Sequence, residues 1–315
     1  MSIIEILNYD TILHIFNYLT DKDKIILCSI NKYFRELFDN IKLIGIYDYN
    51  KIKDLSYYSK FKYVKYEAIN TNIPDNITHL TFGYSFDQPI SKGCIPNTVT
   101  HLTFGYKFNQ PIEEPIPDSI KYLTFGCHYN KSIKKNIFNN VTHLTFGNYY
   151  NQPIKKNILN NITHLTFGHY YNQPIEKNIL NSVTHLTFGC YYNQPIEKNI
   201  LNNITHLTFG YCFNQPIKGC IPNSVTHLTF GYWFDQPISE KSIPNSVTHL
   251  DLGWYFNQSI ECLPDSITCL TIGGWFNQPI EGCIPNSVTH LTLVESFYDK
   301  NKKYINPKII IKFIR

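Results

Sequence analysis

From His79 onward, apolar and polar residues alternate in short bursts that return at a fixed interval. "VTHLTFG" at residues 183–189 is one clear copy. Its Leu and Phe point to one side of an extended chain, and its His and Thr point to the other. The Leu of this phrase falls at Leu80, Leu102, Leu123, Leu144, Leu165, Leu186, Leu207, Leu228, Leu250, Leu270 and Leu291, at spacings of 20–22 residues. A second phrase, "FNQPI", lies between copies, as at Phe108–Ile112, Phe213–Ile217 and Phe276–Ile280. A third, "IPNSV" or "ILNNI", closes each unit, as at Ile221–Val225.

A unit near 21 residues is too short for two helices or a propeller blade. It holds one short strand, one turn and an extended return, the anatomy of a leucine-rich-repeat-like coil. Gly after the Phe ends the strand, and the Pro residues of "NQPI" and "IPNS" block a helix in the return. Parallel strands then stack about 4.8 Å apart, so eleven make a ribbon on the order of 50 Å long. Six apolar positions per unit, Val/Ile, Leu, Phe, Phe/Tyr, Ile and Ile, each contribute roughly 1.5–3 kcal/mol when buried. One coil cannot bury them alone, so stability comes from neighbours, and the pattern predicts a solenoid.

The combination "LTFGYKFNQPI…IPNSVTHL" resembles the FNIP repeat, a leucine-rich-repeat relative abundant in social amoebae and giant DNA viruses, over about residues 71–293. The resemblance implies an interaction role without catalytic activity. The pattern departs from itself in four consecutive units, where Pro becomes Phe138, Leu159, Leu180 and Leu201, and a change of curvature is expected there.

Polar positions repeat as strictly as apolar ones. His79, His101, His143, His164, His185, His206, His227, His249 and His290 share one strand position, replaced by Tyr122 and Cys269 in two units. Zinc sites use closed sets of three or four ligands, so an open row reads as a stacked surface ladder and no metal is expected. The Asn/Asp of the second phrase, from Asp87 and Asn109 through Asn277, reads as a structural residue capping a tight turn. Function should lie where the units differ. The two residues after the strand Gly vary most, and all three tryptophans sit there. Tyr232, Trp233, Trp254, Tyr255 and Trp275 are therefore the candidate target-binding residues. The lysines Lys131, Lys134, Lys135, Lys155 and Lys156 read as a solvated face rather than a phosphate track.

Before the repeats the period changes. Ile12, Ile15, Phe16 and Leu19 recur at helical spacing, Asp10, Thr20 and Asn31 are candidate N-caps, and Thr20 with Asp23 forms a capping-box pattern. Three short helices in about forty residues follow. Leu7, Ile12-Leu13, Ile15-Phe16, Tyr18-Leu19, Asp21-Lys22-Asp23, Ile25–Leu27, Ser29 and Lys32–Phe34 resemble an F-box in order, with Asp21-Lys22-Asp23 at its Asp-rich turn and Asn8 where that motif has Pro. The resemblance implies docking onto the adaptor subunit of a cullin-based ubiquitin ligase, and it nominates Leu7, Ile12, Leu13, Ile15, Phe16 and Leu19 as adaptor-binding. The pairing of an F-box with FNIP repeats is typical of giant-virus proteins.

Composition narrows the remaining classes. The chain has 315 residues, is 43% hydrophobic and 15% aromatic, and carries a net charge of only +4. That charge does not make a nucleic-acid footprint. No apolar run reaches the ~18 residues of a membrane span, and "MSIIEILNYD" lacks the basic start of a secretory signal. Nine cysteines form no CxxC pair and fit free thiols in a reducing cytosol. The N-x-T sequons at Asn76, Asn140, Asn161 and Asn203 follow from the repeat phrase and are expected to be unmodified. The expected architecture is an α+β repeat protein. An F-box-like helical bundle (1–40) leads into a linker and N-terminal cap (41–70), the solenoid with one parallel strand per repeat (71–293) and a C-terminal cap (294–315). The expected function is a non-catalytic substrate-recruiting adaptor without cofactor, acting in the cytoplasm (of a host, if viral). The alternative is a scaffold without ligase docking.

Overall fold

The structure, a computed structural model, describes residues 9–314. Leu7 and Asn8 lie outside the described residues. Three helices open the described residues: α1 (Tyr9–Asn17), α2 (Asp21–Ile30) and α3 (Lys32–Leu37). Thr20 caps α2 by accepting from the Asp23 N–H, and Asn31 caps α3 by accepting from the Tyr33 N–H. Asp10 is no cap, since it sits inside α1.

Everything after the bundle is one parallel sheet of fourteen strands in chain order. Strands β1 (Leu43–Asp48) and β2 (Phe61–Ala68) precede the repeats, with the short helix α4 (Tyr49–Ile52) between them. The repeats supply β3 (His79–Phe82), nine three-residue strands β4–β12 running from His101–Thr103 to Cys269–Thr271, and β13 (His290–Leu293). Helix α5 (Glu295–Asn301) and strand β14 (Ile310–Phe313) follow. Residues 41–70 thus contain two strands of the main sheet.

Repeat strands pair without slippage, Leu on Leu and His on His, as in His164↔His185 and Leu165↔Leu186. One residue of slip would turn the Leu column outward, so the repeat phrase itself holds the register. Beneath the sheet each apolar position forms a buried column from Ile52 to Ile305. The rings show the curvature. Histidine centroids on the open face stack 4.1 Å apart at His164–His185, buried phenylalanines 5.8 Å apart at Phe167–Phe188, and the deepest tyrosines 6.2 Å apart at Tyr171–Tyr192. Coils fan outward from the sheet, which puts the histidine face on the concave side.

The four units that lack Pro are a distinct class of coil. Phe138, Leu159, Leu180 and Leu201 are buried. The same four coils carry Tyr129, Tyr150, Tyr171 and Tyr192 where the others have Phe, and a left-handed Asn at 136, 157, 178 and 199. In flanking coils that have one, the left-handed residue is Gly93, Gly219, Lys241 or Gly282, two residues before the Ile of the closing phrase instead of one. Phenylalanine spacing opens from 5.5 Å at Phe82–Phe104 to 5.8 Å at Phe146–Phe167, while the histidine spacing stays at 4.1 Å. The deepest ring column does not follow this change, with 6.2 Å at Tyr171–Tyr192 inside the block and 6.3 Å at Phe213–Phe234 outside it, so the expected change of curvature is not seen.

The Asn ladder works between coils. Asn130 Oδ1 accepts from the Asn151 N–H at 3.0 Å and from Gln152 Nε2 at 3.0 Å, and the pattern repeats down the solenoid. The expected cap on each residue's own turn is instead a bond to the next turn, which satisfies a half-buried N–H that the extended return leaves free.

The strand-ending glycines set the closest approach. A Cβ on Gly168 would lie 1.8 Å from the carbonyl oxygen of Gly147, inside any van der Waals contact. Gly168→Ala is therefore expected to destabilise by about 3 kcal/mol or more, read as a lower midpoint in chemical denaturation. A midpoint equal to wild type would contradict this packing.

Candidate interaction surfaces

The helical bundle has its own small core. Ile12, Phe16, Cys28, Leu37 and Ile41 are buried in it, and Leu13 and Leu19 pack against it half-buried. The predicted adaptor-binding set therefore divides. Ile12 and Phe16 point inward because they lie one helical turn apart on the face that meets Phe34 and Leu37. Ile15, on the flank of that face, is 43% exposed. The surface of the bundle instead carries Tyr18 (78% exposed), Ile30 (72% exposed), Ile26 and Tyr33. The four-residue spacing of Ile26 and Ile30 along α2 was the available signal for this second apolar face.

Polar contacts anchor the bundle to the sheet: Asp39 pairs with Lys60 at 3.0 Å, and one carboxylate of α2 makes the larger set. Asp21, at the start of α2, accepts from the N–H groups of Ile44 (3.0 Å) and Gly45 (2.6 Å) and from the Tyr47 hydroxyl (2.8 Å). Lys24, itself buried, pairs with it at 3.4 Å. Burial alone would raise the Asp21 pKa, but the bonds from Gly45, Ile44, Tyr47 and Lys24 outweigh it and hold the carboxyl below its ordinary range. Burial and the same carboxylate push the Tyr47 hydroxyl up to about 12. An aspartate that the F-box resemblance places in a turn thus closes the N-terminal edge of the sheet.

On the concave face each histidine is held by its neighbour in sequence, as Thr163 Oγ1 meets His164 Nδ1 at 2.9 Å. Tyr122 keeps the stack, 4.2 Å from His101, whereas Cys269 interrupts it. Among the described residues no group of three or more His, Cys, Asp or Glu side chains is arranged to hold a metal ion. Likewise, no described helix is long and apolar enough to cross a membrane.

The aromatics after the strand glycines line one lateral edge of the solenoid in two columns. In the first, Tyr211, Tyr232 and Trp254 stack, with centroids 4.4 and 5.9 Å apart. In the second, Trp233, Tyr255 and Trp275 stack at 4.2 and 5.2 Å. The columns meet edge to face, as at Tyr232–Tyr255, 5.1 Å and 76°. Trp233 (45% exposed) and Trp275 (60% exposed) face solvent, while Tyr232, Trp254 and Tyr255 are half-buried supports. Gly274 completes this arrangement, because the Trp254 ring lies over it where a Cβ would be 2.6 Å from the ring. The edge also continues upstream through exposed Tyr149, Tyr170 and Tyr191, which stack 5.1–5.2 Å apart.

A long solenoid with a concave ladder, an aromatic edge and a separate helical head is a scaffold for binding macromolecules. The FNIP Repeat family profile matches in consecutive and overlapping units from 68–107 to 256–296, well over half of the chain, and the protein belongs to that family. Two F-box proteins of Acanthamoeba polyphaga mimivirus are similar to it. One is 44% identical over 80 residues, 24% of this chain and 28% of that protein. The other is 45% identical over 74 residues, 22% of this chain and 52% of that protein. The matches thus span about half or less of those relatives. The crystal structure of CroV588, described as a circular leucine-rich-repeat protein, superposes with a TM-score of 0.67 at 41% identity, covering 81% of this chain and 43% of that one. Together these matches establish the resemblance to giant-virus F-box and FNIP proteins and the leucine-rich-repeat-like fold.

The histidine ladder makes stability pH-dependent. Burial first, and in most cases repulsion from neighbouring imidazoles second, lowers the pKa values of His79, His101, His143, His164, His185 and His227. A histidine depressed in the folded state binds protons more readily when unfolded, so the ladder's contribution is present above the ordinary pKa of ~6.5 and is lost as pH falls below it. Denaturation midpoints should drop between pH 7 and pH 5. The double variant His164→Asn, His185→Asn should flatten that drop, and an unchanged slope would remove the ladder as its cause.

Proposed function

We propose that this protein is a non-catalytic recruiting adaptor. Its helical head docks onto the adaptor subunit of a cullin-based ubiquitin ligase, and its solenoid holds a target protein. The observation that carries this reading is the set of exposed apolar side chains on the head, Ile15, Tyr18, Ile26, Ile30 and Tyr33, on a bundle with its own core. A head that served only as a plug would turn such residues toward the first coil. The F-box names of the mimivirus relatives support the same reading. The chemistry is proximity: a tethered target experiences a high effective concentration of the ubiquitin-loaded enzyme. On this reading Trp233 and Trp275 contact the target, with Tyr232, Trp254 and Tyr255 holding them in place, and the protein acts in the cytoplasm of an infected cell.

A second reading is favoured by Asp21, which commits the start of α2 to capping β1. Here the head is a cap and the protein a scaffold without ligase docking. A titration of the full chain against a eukaryotic ligase adaptor subunit separates the two. Micromolar or tighter binding is expected, falling at least ~10-fold in Ile15→Asp, Ile30→Asp, whose substituted side chains are solvent-facing and so leave the circular dichroism spectrum intact. Phe16→Asp unfolds the bundle and is no test of docking. Absence of binding by folded wild type would leave the scaffold reading.

A further inference from the structure

Charge in the solenoid is sharply segregated, although the chain total is small. Residues 121–220 hold nine lysines against two glutamates, whereas residues 221–298 hold seven carboxylates against one lysine, Lys241. The sign changes where the tryptophans begin.

Two of those carboxylates replace neutral residues of the repeat two or three positions in sequence from a tryptophan. Asp235 stands in the Asn ladder. Its Oδ1 accepts from the Asn257 N–H (2.9 Å) and Gln258 Nε2 (3.0 Å), the same task the Asn oxygen performs elsewhere. Its second oxygen adds a charge that the ladder does not need, two residues from Trp233. Asp251 stands where the other repeat strands carry Thr, and its Oδ1 accepts from the Gly253 N–H at 2.9 Å, next to Trp254. The ladder's other carboxylate, Asp87, lies at its far end. Stacked rings present their electropositive edges along a column and a π-face only at its end. Among the described residues Trp275 is that end, because its ring stacks on Tyr255 and the chain beyond the next strand turns into α5.

Resting on the reading of this edge as the target contact, we infer that the target segment is cationic: an extended arginine- or lysine-bearing stretch confined to the coils after residue 220. A guanidinium set over the open face of Trp275 gains a cation–π contact. Asp235 and Asp251 add charge at the flanks of the tryptophans, and the acidic coils concentrate cations near the edge. The lysine-rich coils upstream repel the same segment, which limits its footprint.

The three tryptophans are the only ones in the chain and all lie on this edge, so intrinsic fluorescence reads the site without a label. The probe is a soluble synthetic peptide alternating arginine with serine and glycine, titrated into the full chain at low and physiological salt beside a copy with glutamate for arginine. Asp235→Asn and Asp251→Thr restore residues that other coils use, so both variants keep the fold. The arginine peptide is expected to bind and shift the emission, with affinity about tenfold lower in the double variant and a flatter salt dependence. No binding of the arginine peptide, equal binding of the glutamate peptide, or an unchanged double variant overturns the inference. A glutamate peptide that binds and is lost in Trp233→Ala, Trp275→Ala leaves the edge as a contact surface and ends only the cationic assignment. An arginine peptide that binds without any emission change, and survives those Trp variants, ends both readings.

Discussion

The structure rests on how closely one coil can lie on the next. From Gly105 to Gly273, the glycine that ends a repeat strand meets the glycine of the preceding coil, with no room for a Cβ between them. That contact brings the strands into hydrogen-bonding distance, and hydrogen bonding in unshifted register puts like residues on like residues. The Leu, Phe and Ile columns, the histidine ladder and the Asn ladder are all consequences. A side chain in such a column is judged against copies of itself, so shapes that stack well, such as imidazole on imidazole, recur.

Edges are where this logic stops. A coil at the start of a stack has unpaired N–H groups that a neighbour would otherwise satisfy. Asp21 supplies acceptors to two of them and reaches a buried lysine at the same time, so polar bonds join the helical head to the solenoid, with one ring contact beside them, Phe38 on Tyr57 at 5.6 Å. The two hydrophobic clusters are separate. A joint of this type fixes the direction of the head relative to the sheet while leaving its apolar surface free.

Much of the fold could be read in the chain because repetition states the answer many times. The eleven leucines at 20–22-residue spacing implied the eleven repeat strands, though not β1, β2 and β14 of the fourteen-stranded sheet, and proline and glycine implied what separates them. The interaction surfaces were less legible. A helical period in Ile12, Ile15, Phe16 and Leu19 marks an apolar side, but it does not divide that side between a three-helix core and solvent; the position of Phe34 and Leu37 decides it. Asp21 looked like turn chemistry because its partners, Ile44 and Gly45, are more than twenty residues away. The aromatic edge was visible as variable positions, yet which rings face out depends on Gly274 making room for Trp254. The tie between Tyr, left-handed Asn and Leu in the middle coils is present in the letters, but only the backbone angles show that the Asn is left-handed.

That tie has a genetic meaning. The coils from Tyr129 to Leu201 are close copies that share one turn geometry and one interior. Misaligned recombination between their coding segments would delete or add whole coils of a single type, and every junction produced would already be compatible on both sides. Exchange across the class boundary would join a tyrosine coil to a proline coil at an arbitrary point and separate the three residues that belong together. Length variation in the lineage should therefore accumulate inside this block, moving the helical head and the tryptophan edge apart by whole rungs while leaving both unaltered.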